Sequence, residues 1–355
     1  MTLPMTPNIT LPSTLHITLP INLPINLPIT RLRRRGPLRA SLALVLACCG
    51  LAAPAQAQDN KPLEWVVGYA AGGGSDVVAR TVGEAMGKTL NRSVLVVNKP
   101  GAATNIAADY VAKAKDLGNV MLTADFATLA ANPALFSKLP YDPQKDFAPV
   151  GLLARFPMLL VVGPNVPAKT LKEFLAWAKA QPGGVSYASA GAGSPHHLAT
   201  ELLRDRTGLT LQHVPYRGAA PAVQDLIGGQ VPFGLMDSAS VQQHLGSGRL
   251  RALGVASAQR LATFPEIPTL AEAGLPGFEA YAWQGLVVPA ATPAPVVAVL
   301  AQALQQALAS TRVKARFQTL SLEALPGSPA QMTAYVRTER ERWGKLIAEK
   351  GIKLD

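Results

Sequence analysis

Cysteine is almost missing: two in 355 residues, Cys48 and Cys49, side by side in one apolar stretch near the front. The rest of the chain has no thiolate for nucleophilic or metal chemistry and no disulfide, so its core alone must hold it. Aromatic residues are 6% and charged residues 15% of the chain, and no cluster of Lys and Arg with interleaved aromatics follows residue 57, which argues against a nucleic-acid face. No apolar run reaches the roughly 18–20 residues of a membrane span. What is plentiful is apolar side chain, 48% of positions, enough to exclude a disordered or fibrous chain, and the length allows two domains.

The first 57 residues stand apart. Residues 1–30 repeat a Leu-Pro theme (Leu19-Pro20, Leu23-Pro24, Leu27-Pro28) whose four-residue proline spacing forbids a helix. Such a low-complexity extension fits translation assigned from a start codon set too far upstream. Residues 31–57 then have the parts of a secretory signal: Arg31, Arg33, Arg34, Arg35 and Arg39, an apolar stretch over 40–51, and the small-residue site Ala55-Gln56-Ala57. Export to the periplasm with cleavage near Ala57 is expected, by the general route or by the twin-arginine route that Arg34-Arg35-Gly36-Pro37-Leu38 faintly suggests. Cleavage removes five of the 33 basic side chains and no acid, lowering the formal charge from +11 to +6.

From residue 58 on, strand and helix patterns alternate. Strands are predicted over 63–67, 94–97 and 120–124, with helices over about 76–90 and 105–114. The wholly apolar Val94-Leu95-Val96-Val97 reads as a strand covered on both faces. A second series follows Leu159-Leu160-Val161-Val162, with strands over 185–189, 211–214, 231–236 and 250–257, and a further extended run over 282–288. The last helix has Ser328 as N-cap, Pro329 at its first position and Gln331 closing a capping box. This is the pattern of an α/β chain with parallel-rich sheets flanked by helices. Runs at 157–163 and 282–289 are the expected crossings between two lobes, 58–158 plus 283–355 and 159–282.

In open parallel sheets ligands bind beyond the carboxyl ends of strands, and two such places have the residues of an anion seat. Ala71, Gly72, Gly73, Gly74, Ser75 and Asp76 join a strand to a helix. Glycines allow close backbone approach, and a helix N-terminus carries about half a positive charge. The loop is neither a Walker loop, which needs Gly-Lys-Ser/Thr, nor a dinucleotide fingerprint, since Val77 and Asn98 stand where a glycine and an acid are required. A plain turn with Ser75 capping the helix is the alternative, and Asp76 either faces a ligand or balances the helix dipole. The second seat is Ser189, Gly191, Ala192, Gly193 and Ser194, with Ser194 as N-cap and Pro195 opening a helix. His197 reaches a ligand or packs. His196 and His197 are adjacent, a poor metal pair, and no metal or cofactor is expected. Tyr216 and Gly218 follow the next strand, Asp237 the one after, and Asp125 and Thr128 follow the strand over 120–124. Trp283, at the return crossing, is core or a cleft wall. Ser194, His197 and Asp237 would have to lie within hydrogen-bond reach for an exported hydrolase, the enzymatic alternative.

Several stretches resemble the substrate-binding proteins of tripartite tricarboxylate transporters, the Bug (TctC-like) family. They are residues 72–80, Asn98-Lys99-Pro100-Gly101-Ala102, Asn132-Pro133-Ala134-Leu135-Phe136, Leu139-Pro140-Tyr141-Asp142, Asp146-Phe147-Ala148-Pro149-Val150, Tyr187-Ala188-Ser189-Ala190-Gly191, His213-Val214-Pro215-Tyr216-Arg217-Gly218 and 271–277. Their order spans the chain from 62 to 355. The resemblance implies a two-lobed, Venus-flytrap (type II) periplasmic binding protein, a monomer, not an enzyme. It would capture a small carboxylated solute (a di- or tricarboxylate, an acidic amino acid or an aromatic acid) for delivery to membrane transporter subunits. A ligand sensor for a signalling receptor would share the fold. One ligand carboxylate would be held by the loops over 72–76 and 189–194. Departures are Ala70-Ala71 for a common Pro-Pro, Thr104 for a common Gly, Ala192 for a frequent Asn, and Asp125-Phe126 for smaller polar residues. Phe126 and Ala192 are expected to make the pocket more apolar.

Overall fold

The structure is a computed structural model and describes residues 61–354. The extension over 1–30 and the export signal over 31–57 lie outside the described residues. β1 (Leu63–Val67), α1 (Gly74–Leu90), β2 (Val94–Asn98), α2 (Asn105–Ala112) and β3 (Val120–Asp125) form the first series, in which β2 and β3 both pair with β1 in parallel. A one-turn wide helix (Ala127–Ala131) and α3 (Asn132–Leu135) lead to β4 (Phe147–Val162), 16 residues long. The second series is α4 (Leu171–Lys179), β5 (Val185–Ser189), α5 (Pro195–Thr207), β6 (Leu211–Pro215), α6 (Ala219–Ile227), β7 (Phe233–Asp237), α7 (Ser238–Gly246) and β8 (Arg251–Val255). β9 (Tyr281–Pro289) brings the chain back, and α8 (Ala294–Ala309), α9 (Thr311–Thr319), β10 (Glu323–Ala324) and α10 (Pro329–Glu349) complete it. The capping box read from Ser328 and Gln331 is formed at the start of α10.

The strand order is β2-β1-β3-β9-β4-β7-β5-β6, with β8 and β10 also on β4. Each end is a parallel set: β1 with β2 and β3, and β5 with β6 and β7. β4 and β9 between them run antiparallel to their neighbours. Parallel strands require crossover helices, which is why each end is covered by helices. The apolar run at 159–162 is only the tail of β4, because residues 147–157 already pair with β9 before Met158 takes up pairing with Asp237 of β7. Pro157 stands at that change of partner, where a residue without an N–H loses least.

β2 corrects one expectation. It is an edge strand, and Leu95 is 56% exposed. Four successive apolar residues do not distinguish a central strand from an edge whose one face packs on a helix. Elsewhere three apolar clusters pack on the faces of the sheet, with Trp65 and Tyr187 fully buried in one and Trp283 in another.

Candidate functional site

The first loop is built from glycine freedom. Gly72 adopts φ +86°, a conformation that L side chains rarely take. α1 then starts with Gly73 as N-cap and no capping side chain. Ser75 is therefore not the cap that the plain-turn alternative required. It lies in the first turn, and its hydroxyl accepts from Gln284 Nε2. Asp76 turns inward, accepting from Gly72 N–H (3.0 Å), Arg80 Nε (2.9 Å) and Asn98 Nδ2 (3.1 Å). Burial opposes its ionisation, but the bonds from Arg80, Gly72 and Asn98 prevail and hold its carboxyl below the usual range. At neutral pH Asp76 is a carboxylate neutralised by Arg80 within the first turn, where the helix dipole favours it.

The second loop is satisfied from within. Ser194 caps α5, its Oγ accepting from His197 N–H (3.3 Å) and donating to Gly191 O (2.6 Å). Gly193 N–H donates to His197 Nδ1 (3.1 Å), and Ser189 Oγ meets His213 Nε2 at 2.6 Å. The two imidazoles stack with centroids 4.1 Å apart, and Tyr187 stacks on His213. Burial, with the charges of His213 and Arg204, pushes His197 down to about 3, and burial pushes His213 down to about 4. Both are neutral at pH 7, which keeps His197 Nδ1 available as an acceptor. Asp237 bonds His196, not His197, so the Ser194–His197–Asp237 relay of the hydrolase alternative is not made.

The two halves meet through Asp237 and Ser240. Asp237 caps α7, accepting from Ser240 N–H (3.0 Å), Ser240 Oγ (2.8 Å) and His196 Nε2 (3.0 Å). Ser240 Oγ in turn accepts from Gly74 N–H across the gap, at 3.0 Å. The fit is close: a Cβ on Gly74 would come within 2.4 Å of Asp237 Oδ1. Nearby, Ala70 N–H donates to Arg217 O (2.9 Å), and Gly218, at φ +143°, packs its α-carbon side against Ala70.

Asp125 ends β3. Its carboxylate accepts from Tyr69 O–H (2.6 Å) and from Thr128 N–H (3.0 Å) and Oγ1 (2.9 Å). Burial pushes its pKa up, although these bonds oppose the shift. Burial and the charge of Asp125 likewise raise the Tyr69 phenol well above its ordinary value. Thr104 Oγ1 donates to Thr128 Oγ1 at 2.9 Å. Ala102, Ala103 and Thr104 run at φ +46°, +53° and +72°. Three left-handed residues in a row are costly without glycine, and Asn132, donating to Ala103 O (2.7 Å), and the Thr104 bond hold them there.

Two cavities lie between the halves. The inner one, about 20 Å³, is lined by Gly73, Gly74, Ser75, Asp125, His196 and Asp237 with Tyr69, Phe156, Trp283 and Gln284 among its walls. Four helices begin there: Gly74 and Ser75 open α1, Pro195 and His196 open α5, Ala219 opens α6, and Asp237 caps α7. The outer one, about 420 Å³, is lined by Gly191, Ala192, Ser194, Tyr216, Arg217 and the left-handed turn over 102–104. Tyr69 and Ala190 line both and so divide them.

Of the residues singled out by sequence, Gly73, Gly74, Ser75, Asp125, Asp237 and Trp283 thus share the inner cavity. Gly191, Ala192, Ser194 and Tyr216 share the outer one, with the Tyr216 hydroxyl donating to Asp225 (2.6 Å). Ala71 and Gly72 sit exposed at the rim. Asp76, Thr128, Ser189, Gly193, His197 and Gly218 line neither and act through the bonds and packing described. Phe126 corrects an expectation: it is 0% exposed and packs edge-on against Trp283 and Trp343, adding nothing apolar to either cavity. Tyr69, His196, Ser240 and Gln284 were missed. Only Tyr69, an aromatic just past a strand end and before the glycines, had a local signal. Among the described residues no group of His, Cys, Asp and Glu could hold a metal ion.

Residues 78–352 match the family described as tripartite tricarboxylate transporter family receptor. The periplasmic binding protein BugD is similar in structure, with TM-score 0.80 and 34% identity over 82% of this chain and 99% of that one. Rpa4515 of R. palustris, solved with adipate, gives 0.80 and 32% over 82% and 98%. MatC (Rpa3494) of Rhodopseudomonas palustris, with bound malate, gives 0.77 and 35% over 81% and 98%. With a family match over most of its length and this fold, the chain belongs to the tripartite tricarboxylate transporter receptor family, the Bug-type periplasmic solute-binding proteins of two-lobed α/β architecture.

Proposed function

We propose that the chain is exported, with cleavage near Ala57, and captures a small carboxylated solute in the periplasm between lobes made of residues 58–158 plus 283–355 and 159–282. It then delivers the solute to the membrane subunits of a tripartite tricarboxylate-type transporter. The observation that carries this is the meeting of four helix N-termini at the inner cavity. Asp237 already caps α7 and Ser194 caps α5, leaving the uncapped starts of α1 and α6 for a solute anion. Adipate and malate in two related structures support a carboxylate. Gly72–Asp76 and Ser189–Ser194 then act as loops that shape the clamp, some by contact and some by holding its backbone.

A cavity of about 20 Å³ admits little more than a water molecule, so the lobes must part to load the solute and close over it. Gly74 N–H to Ser240 Oγ and Ala70 N–H to Arg217 O are contacts made on closure. The solute shifts the balance by bridging both lobes.

Thermal unfolding of the exported protein, freed of co-purified solute, against carboxylates and their uncharged amides tests this. A solute at 100 times its Kd adds about 2.7 kcal/mol and raises the midpoint. Midpoints that move with the amides and not with any acid would end the carboxylate reading.

A further inference from the structure

The polar lining of the inner cavity is one-sided. Asp125 and Gln284 stand directly opposite each other where β3 and β9 run antiparallel, so their side chains leave the same face of the sheet. Both are buried, at 3% and 4% exposure, and both line the cavity. Gln284 Nε2 is engaged by Ser75 Oγ, while Gln284 Oε1 has no hydrogen-bond partner. Asp125 accepts from Tyr69 and Thr128 and from the backbone N–H of Ala127, about the four hydrogen bonds a carboxylate has room for, so what it presents to the cavity is its charge. Across the cavity stands a second buried carboxylate, Asp237. No Lys or Arg lines the space, His196 being its one side chain able to take a positive charge, and its Nδ1 is also unpartnered.

A solute that is only a carboxylate answers the helix N-termini but leaves Gln284 Oε1 without a donor and the charge of Asp125 without a partner. A second carboxylate there would face Asp125 directly. Resting on the carboxylate reading above, we propose that the solute also carries an ammonium group, bonded by Gln284 Oε1 beside the charge of Asp125, while its carboxylate lies against the uncapped starts of α1 and α6. An ammonium offers three hydrogens and a charge opposite to that of Asp125. A hydroxyl offers one hydrogen and no charge. Tyr69, whose hydroxyl bonds Asp125, lines this end of the cavity, and an aromatic wall favours a cation. Asp125 and Gln284 are then specificity-determining residues for an amino acid over its deaminated counterpart.

The test is titration calorimetry on the protein recovered from the periplasm, with matched sets of one carbon skeleton each. These are aspartate, malate and succinate; glutamate, 2-hydroxyglutarate and glutarate; alanine, lactate and propionate; phenylalanine, phenyllactate and phenylpropionate. In whichever set binds, the amino acid should bind at least tenfold more tightly than the bare acid, with the hydroxy acid between. Asp125→Asn should weaken the amino acid alone and bring it within threefold of the bare acid, and Gln284→Leu should do the same to a lesser degree. A bare or hydroxy acid that binds as tightly as the amino acid overturns the proposal and leaves the carboxylate reading standing. Equal weakening of all three by Asp125→Asn, in protein of unchanged circular dichroism, also overturns it. If no member of any set binds while other carboxylates do, the ammonium proposal falls alone, and if only uncharged solutes bind, both readings fall. The wild-type comparison decides even if a variant does not fold.

Discussion

The loops over 72–76 and 189–194 are similar in sequence and opposite in construction. The second supplies its own partners: Ser194 caps its helix, His197 takes the Gly193 N–H, and Ser189 is tied to His213. The first has no capping side chain, and its Gly74 N–H is satisfied by Ser240 from the other side of the cavity. One loop is therefore finished within its own half. The other is finished only by contact across the cavity, so under the proposed closure its hydrogen bonding would report on the closed state. A clamp of that kind would gain from the division, since one loop is already hydrogen-bonded and the other keeps donors that a solute can take.

The largest test of the comparison is acid. The unfolded chain takes protons near pH 6.5 that native His197 and His213 refuse until about 3 and 4. Their depressed values make stability rise with pH across that window, so it falls as pH drops from about 6.5 toward 4. The expected loss is about 3 kcal/mol for each imidazole by pH 4, read from unfolding midpoints between pH 7 and 4. The slope should be shallower in His197→Asn, and parallel curves would detach the second loop from its imidazoles. Next, Gly74→Ala places a methyl against Asp237. Overpacking costs about 1–3 kcal/mol, here charged to closure, so solute affinity should fall about 5–150-fold with the circular dichroism unchanged. Affinity equal to wild type would mean that the lobes do not close this far on the solute. Ser194→Ala removes a cap inside the second loop and should cost about 1 kcal/mol of stability, visible in urea unfolding. Ser240→Ala comes last: it loses two hydrogen bonds, from Gly74 N–H and to Asp237, of about 0.5–1.5 kcal/mol each, and should weaken solute binding a few-fold with a small drop in the unfolding midpoint. A lowered midpoint with unchanged affinity would make Ser240 a fold residue.

Sequence reading recovered what is local. The strand ends before the glycine loops, the capping residues Ser194 and Ser328, and the positions of Asp125 and Asp237 at strand ends follow from periodicity and turn chemistry within a few residues. Gln284 and Ser240 were out of reach because their roles depend on partners 209 and 166 residues away. No local signal specifies such pairings. Phe126 misled for a related reason: it follows Asp125 directly, and in a strand-to-helix turn adjacent side chains leave opposite sides, here one to the cavity and one to the core. The left-handed run ending at Thr104 was marked only by the absence of an expected glycine.

β4 also limits how such a protein can vary. One strand pairs with β9 along its first part and with β7 along its last, and it carries two one-residue register shifts against β9, at Val150 and Leu153, between which side chains alternate faces with a period of two. Inserting or deleting a single residue near Pro157 would turn one half's share of the strand inside out, burying what was meant for one face under the other. A one-residue change there therefore needs a compensating bulge, of the kind β4 already carries twice against β9, whereas the loops between strands can change length without one.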